Sequence, residues 1–137
     1  MGKKILVIED DPATSRLVDY SLRHEGYQVF TASNGLDGIR KAMEVTLDLI
    51  ILDVMLPGMD GFEICHRLRS EPKTAEVPIL MFSAKSQDID KTTGLLVGAD
   101  AYLTKPAPPS SIVERVQNLI NTKHKPVSDK EKQVGKR

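Results

Sequence analysis

Four polar stretches, each directly following an apolar run, carry the residue types of phosphoryl chemistry. Glu9-Asp10-Asp11 follows the run at 5–8, and Asp53 follows the run at 49–52. Ser83-Ala84 follows 79–82, and Thr104-Lys105-Pro106 follows 101–103. On one rim these would give carboxylates, a hydroxyl and an amine. Like charges ~4 Å apart cost about 4 kcal/mol at an effective dielectric near 20. Such a cluster must take up a proton or bind a cation. Oxygen-only ligands favour a hard ion, and an incomplete shell with room for water suits Mg²⁺ better than Ca²⁺. A carboxylate beside Mg²⁺ and a lysine can attack a phosphoryl group to give an acyl phosphate. Asp53 is the candidate acceptor, and Lys105 with the metal would neutralise the transferring oxygens. Ser83 would hydrogen-bond a phosphoryl oxygen, and small Ala84 leaves room for the incoming group. The plain alternative is a charge network at a sheet end. It suffices for any one acid but not for four positions at four strand ends.

That convergence requires elements that bring the four strand ends together. The runs ILVI (5–8), LIIL (49–52) and ILMF (79–82) read as strands buried on both faces, as do the shorter ones around Val29-Phe30 and 101–103. Helix-length segments with a 3.6-residue period lie between them. The first opens at Pro12, stops near Gly26, and is expected to bury Ala13, Leu17 and Tyr20. The second groups Leu36, Ile39 and Met43, and the third Phe62, Cys65 and Leu68. The fourth, 88–97, has a weak stripe of Ile89 and Leu96. The fifth has a broad face from Ile112 to Ile120. Five strand–helix repeats predict an α/β fold: a five-stranded parallel sheet in the flavodoxin-like order 2-1-3-4-5, with helices on both faces. Its site lies at the carboxyl ends of the strands.

The bulk properties narrow the function classes. At 137 residues the chain is one ordinary domain, and 40% hydrophobic with 28% charged residues is the balance of a globular protein. Basic and acidic residues each number 19, so charge gives no reason to expect nucleic acid or an anionic membrane as partner. Cys65 is the single cysteine, which excludes an intramolecular disulfide and reads as a packed helical thiol. No stretch approaches the ~20 apolar residues of a membrane span, and the expected location is the cytoplasm. His24, His66 and His124 offer no zinc-like spacing. The domain is expected over 1–122, with a charged, aromatic-free flexible tail or linker over 123–137.

The stretches ILVIEDDP, LIILDVMLPGMDGFEIC, PILMFSAK and GADAYLTKP, in this order and at these separations, resemble the receiver domain of two-component response regulators over roughly residues 3–122. The resemblance implies that Asp53 is the phosphoacceptor and Asp10 a direct Mg²⁺ ligand. It adds the backbone carbonyl of Met55 as a further ligand and Glu9 as a contact through water. Asp11 stands outside the metal site. Lys105 matches the phosphoryl-binding lysine, and Lys105-Pro106 the peptide bond that is typically cis. Ser83 and Tyr102 match the hydroxyl and aromatic switch positions, although Tyr102 reads equally as a strand aromatic covering the core. The implied partners are a sensor histidine kinase or histidine phosphotransfer protein and a downstream target or output domain. A phosphorylation-dependent dimer stays open. Two departures stand out: Ala101 where an acid is common, and the stiff Pro108-Pro109 pair before the fifth helix.

Three other readings compete. Phosphatases with an aspartyl nucleophile resemble one another in an Asp-x-Asp pair on the first strand. Here the +2 residue from Asp53 is Met55, which cannot transfer a proton. A receiver-like adaptor without phosphorylation would lack the acids or the lysine, all of which are present. A nucleotide site lacks its Gly-rich turn after the first strand. The chain therefore reads as a signalling phosphoacceptor, not a turnover enzyme.

Overall fold

The computed structural model describes residues 2–123. The strands are β1 (Lys4–Ile8), β2 (Gln28–Ala32), β3 (Leu49–Leu52), β4 (Ile79–Ser83) and β5 (Ala101–Thr104). They alternate with α1 (Pro12–His24), α2 (Gly35–Glu44), α3 (Gly61–Ser70), α4 (Asp88–Leu96) and α5 (Pro109–Lys123). All pairings are parallel and the sheet order is β2-β1-β3-β4-β5, as the alternation predicts. The register sets Ile8 beside Ala32 and Leu52, and Ser83 beside Thr104, so the carboxyl ends share one rim. Strand order reverses between β1 and β3, where such a sheet opens a crevice.

Successive side chains of a strand leave opposite faces, and β1 shows the result. Ile5 and Val7 pack with Val18 and Leu22 of α1 and Ile112 and Val116 of α5. Leu6 and Ile8 pack with Ala42 of α2 and Ile64 and Leu68 of α3. Each large aliphatic side chain buried this way contributes roughly 1.5–3 kcal/mol. The helices start where polar side chains cap them. Asp11, Asn34 and Asp60 accept from the N–H groups of Thr14, Asp37 and Glu63, each cap contributing about 1 kcal/mol. The Pro pair is a rigid helix entry, since the Pro108 carbonyl accepts from Ser111 N–H at 2.9 Å and α5 begins at Pro109.

Three helix faces differ from expectation. In α1 the buried residues are Val18 and Leu22, while Leu17 and Tyr20 are exposed. In α2 Ile39 and Met43 pack against the core as expected, but the fully buried positions are Gly35, Gly38 and Ala42, and Leu36 points out. In α4 only Gly94 is buried, and both Ile89 and Leu96 are exposed. In α2 the reason is close approach. A Cβ on Gly38 would fall 2.5 Å from Ile8 Cδ1, so α2 lies too near β1 for a large side chain. α5 runs through Lys123, one residue past the expected domain end, and the remainder of the expected tail lies outside the described residues. Among the described residues no helix is long and apolar enough to cross a membrane.

Candidate functional site

Asp53 is the residue after β3, and it is only 4% exposed. Its N–H donates to the Ile8 carbonyl at 3.1 Å, which carries the β1–β3 ladder one residue past the strand. Its Oδ1 accepts from Met55 N–H at 3.0 Å, fixing the turn that follows. Gly61, at the start of α3, donates to the Val54 carbonyl at 2.8 Å. A Cβ on Gly61 would lie 2.3 Å from the Asp53 carbonyl oxygen, so α3 can begin this close only with glycine there.

Glu9 and Asp10 come from the end of β1, Glu9 buried and Asp10 exposed. Glu9, Asp10 and Asp53 each offer a carboxylate oxygen within 4.8 Å of the others. The Lys105 ammonium donates to Glu9 Oε1 at 2.8 Å and to Asp53 Oδ2 at 3.2 Å, and stands 5.4 Å from the centroid of the Phe82 ring. Burial raises the Glu9 pKa, while the bonds from Lys105 and Asp11 N–H pull it back. Burial also opposes the Lys105 charge, but Glu9 and Asp53 outweigh it and the ammonium pKa rises. With all three acids ionised, one ammonium leaves a surplus of two negative charges, matched by one divalent cation. The donors are all oxygen, which suits a hard ion.

The other expected residues fall into two groups. Ser83 is fully buried, and its backbone carbonyl accepts from Lys105 N–H at 2.9 Å. Its hydroxyl oxygen accepts from Lys85 N–H at 3.3 Å. Tyr102 packs against the core beneath α4, and its hydroxyl donates to the Lys85 carbonyl at 2.7 Å. The Lys85 backbone thus touches both candidate switch residues, Ser83 through its N–H and Tyr102 through its carbonyl in the next peptide group. The role of Lys85 was invisible in the sequence because only its backbone acts. Met55 contributes its N–H to Asp53, and its side chain is exposed. Asp11 caps α1, its carboxylate accepting from Thr14 N–H at 3.2 Å and Thr14 Oγ1 at 2.6 Å, while its own N–H donates to Glu9 Oε2 at 3.1 Å. Lys105-Pro106 is cis. Cys65 is buried with its thiol toward the Val97 carbonyl at 3.6 Å. Asp100 accepts from Arg69 and from Ile79 N–H, both at 2.8 Å, so Ala101 beside it leaves no bond unmade there.

The family model of the response regulator receiver domain matches residues 5–117. The chain belongs to that family. The receiver is 45% identical over 120 residues to the alkaline phosphatase synthesis transcriptional regulatory protein PhoP of Bacillus subtilis, covering 88% of this chain and 49% of that protein. It is 46% identical over 117 residues to the DNA-binding dual master transcriptional regulator RpaA of a Synechocystis strain, covering 85% of this chain and 48% of RpaA. The chain thus spans about half the length of these relatives. Among solved structures it is similar to the chemotaxis response regulator CheY4 of Vibrio cholerae, with a TM-score of 0.83 at 32% identity over 87% of this chain and 99% of that one. It is also similar to the receiver domain of sensor histidine kinase PA1611 from Pseudomonas aeruginosa, with a TM-score of 0.82 at 29% identity over 88% and 99% of the two chains. That structure has magnesium coordinated in its active-site cleft.

Proposed function

We propose that this receiver, over residues 1–122, accepts a phosphoryl group on Asp53 from a phosphohistidine of a sensor histidine kinase or phosphotransfer protein. The observation that carries the reading is the buried Asp53 carboxylate held 3.2 Å from the Lys105 ammonium inside the Glu9–Asp10–Asp53 cluster. An Asp53 oxygen attacks phosphorus, the new P–O bond forms as the P–N bond breaks, and the imidazole leaves with the electron pair and is protonated. Asp10, Asp53 and the Met55 carbonyl would hold Mg²⁺ directly, and Glu9 through water. When bound, the metal neutralises charge on the phosphoryl oxygens. Lys105 shares that task, and breaking its bonds to Glu9 and Asp53 frees the ammonium for the phosphoryl group. The Ser83 hydroxyl, which accepts from Lys85 N–H, turns to donate to a phosphoryl oxygen, and Tyr102 responds through the Lys85 carbonyl. The switched surface then engages a downstream target or output domain, or a second copy of the chain. A cytoplasmic location follows from the donor. DNA binding is named of RpaA, and the expectation of no direct nucleic-acid contact here rests on this chain's own charge balance.

Incubation with Mg²⁺ and acetyl phosphate should add the mass of one phosphoryl group, and Asp53→Asn should abolish the gain. An unchanged mass with competent donor and metal would sink the reading in favour of a non-phosphorylated adaptor.

A further inference from the structure

Two contacts hold Tyr102 under α4, beside the interaction of its hydroxyl with the Ser83 side chain. One is the hydroxyl bond to the Lys85 carbonyl at 2.7 Å. The other is the flank of its ring, which lies against Gly94, the buried residue of α4. A Cβ built on Gly94 would fall 3.1 Å from Tyr102 Cδ2, 3.4 Å from Cε2 and 2.9 Å from Met81 Sδ. Carbon contacts are comfortable only from about 3.5 Å outward. Nothing in the local backbone calls for glycine, because Gly94 is not among the positive-φ glycines and sits inside a nine-residue helix. Glycine there weakens the folding equilibrium about fivefold relative to alanine. The position is therefore bare for the sake of space. Of the two neighbours, Met81 presents the flexible thioether of a fully buried side chain in β4 between β3 and β5, with close-packed core around it to resist a shift. The half-buried Tyr102 ring can retreat.

We infer that Gly94 is a positioning residue for the switch: its missing side chain is the slot in which the Tyr102 ring lies with its hydroxyl on Lys85. This rests on the reading of Tyr102 as a switch residue given above. A methyl at position 94 pushes the ring outward by a few tenths of an ångström, weakens the bond to the Lys85 carbonyl, and so loosens the ring from the residue whose N–H contacts Ser83. Phosphorylation of Asp53 would then bear on a ring already displaced.

The chain has three tyrosines, so 3-fluorotyrosine labelling gives three ¹⁹F signals, with Tyr102 assigned by Tyr102→Phe. In the unphosphorylated protein, Gly94→Ala should move the Tyr102 signal toward that of the free amino acid and leave Tyr20 and Tyr27 in place. An unmoved Tyr102 signal overturns the inference. Urea unfolding supplies an independent arm. With Tyr102→Ala, Gly94→Ala should strengthen folding about fivefold, the ordinary helix gain. With Tyr102 present that gain should vanish. Equal gains in both backgrounds overturn the inference. If Gly94→Ala alone does not fold, a folded Gly94→Ala/Tyr102→Ala protein supports the slot, and failure of both overturns it. Coupling is read from Mg²⁺-beryllofluoride affinity, expected to fall about fivefold in Gly94→Ala. Unchanged affinity with a displaced ring overturns the switch role. Failure of the wild-type chain to bind beryllofluoride would count against the Asp53 reading alone, and the ¹⁹F and unfolding arms would still decide the slot.

Discussion

Lys105 satisfies Glu9 more closely than Asp53, at 2.8 Å against 3.2 Å, and Asp10 has no share in it. The cluster is therefore over-supplied with negative charge at rest. Removing one acid should relieve the fold while removing its affinity for a cation. In metal-free buffer, Asp53→Asn should melt about 3 °C higher than the parent, an increment of about 1 kcal/mol for a domain of this size. Added Mg²⁺ should raise the parent's melting temperature and leave that of the variant nearly unmoved. Equal Mg²⁺ shifts in thermal melts of the two would refute the assignment. A second prediction concerns Cys65, whose thiol burial pushes from 9.0 up to about 11. Below pH 9 both the folded and unfolded thiols are protonated and contribute nothing to pH dependence. Between pH 9 and 11 the unfolded chain releases a proton that the folded one keeps. Stability from this group should therefore fall as pH rises, by up to about 1.4 kcal/mol per pH unit. Lys105 titrates in the same sense, so the measurement is the difference in urea midpoints between parent and Cys65→Ala across that window. Parallel curves would show that the thiol is not held protonated.

At the scale of elements, the strands and their order are legible because a strand buried on both faces leaves an uninterrupted apolar run. The acidic pair, Asp53 and Ser83 are legible because each directly follows such a run, and Lys105 because it stands two residues past one. Helix faces are harder. α1 carries two apolar stripes, and the one that packs is Val18 and Leu22, not Leu17 and Tyr20. α2 packs Ile39 and Met43 as their spacing suggests, but its closest approach is through Gly35, Gly38 and Ala42, which no count of large apolar residues would select. Lys85 could not be found at all, since a backbone carbonyl and N–H have no sequence signature. Glycine at a helix–strand approach is the recoverable part of this lesson, and Gly61 tests it. Its built Cβ lies 2.3 Å from the Asp53 carbonyl oxygen and 2.6 Å from Val54 Cα, both backbone atoms that cannot swing aside. Gly61→Ala should cost about 2 kcal/mol in urea unfolding despite alanine's better helix propensity. It should also slow phosphoryl uptake, because the displaced atoms belong to Asp53 itself. A variant as stable as the parent would show that α3 has room to shift.

Across the whole molecule, the two edges of the sheet divide the work. The carboxyl edge holds the like-charged cluster, and the opposite edge is fastened by Arg69. From α3 its Nε donates to the Gly98 carbonyl at 2.9 Å, and Nη1 to the carbonyls of Thr74 at 3.1 Å and Val77 at 2.7 Å. Nη2 pairs with Asp100 at 2.8 Å, and that carboxylate accepts from Ile79 N–H at the start of β4. One guanidinium therefore ties α3 to the chain entering β4 and to the turn entering β5. Arg69 is only one-fifth exposed while the Asp100 carboxylate faces solvent, so the guanidinium's bonds to the backbone carbonyls matter more than the ion pair. Removing Arg69 leaves several part-buried acceptors unpaired, a loss of about 3 kcal/mol. Arg69→Ala should lower the urea midpoint accordingly, while Arg69→Lys, a single ammonium on a flexible stem, should recover only part of it. Because the clamp sits at the amino ends of β4 and β5, phosphoryl uptake by the folded fraction of Arg69→Ala should match that of the parent at low temperature. The reverse pattern, uptake lost with stability intact, would mean that the two edges are coupled through β4 and β5 rather than independent.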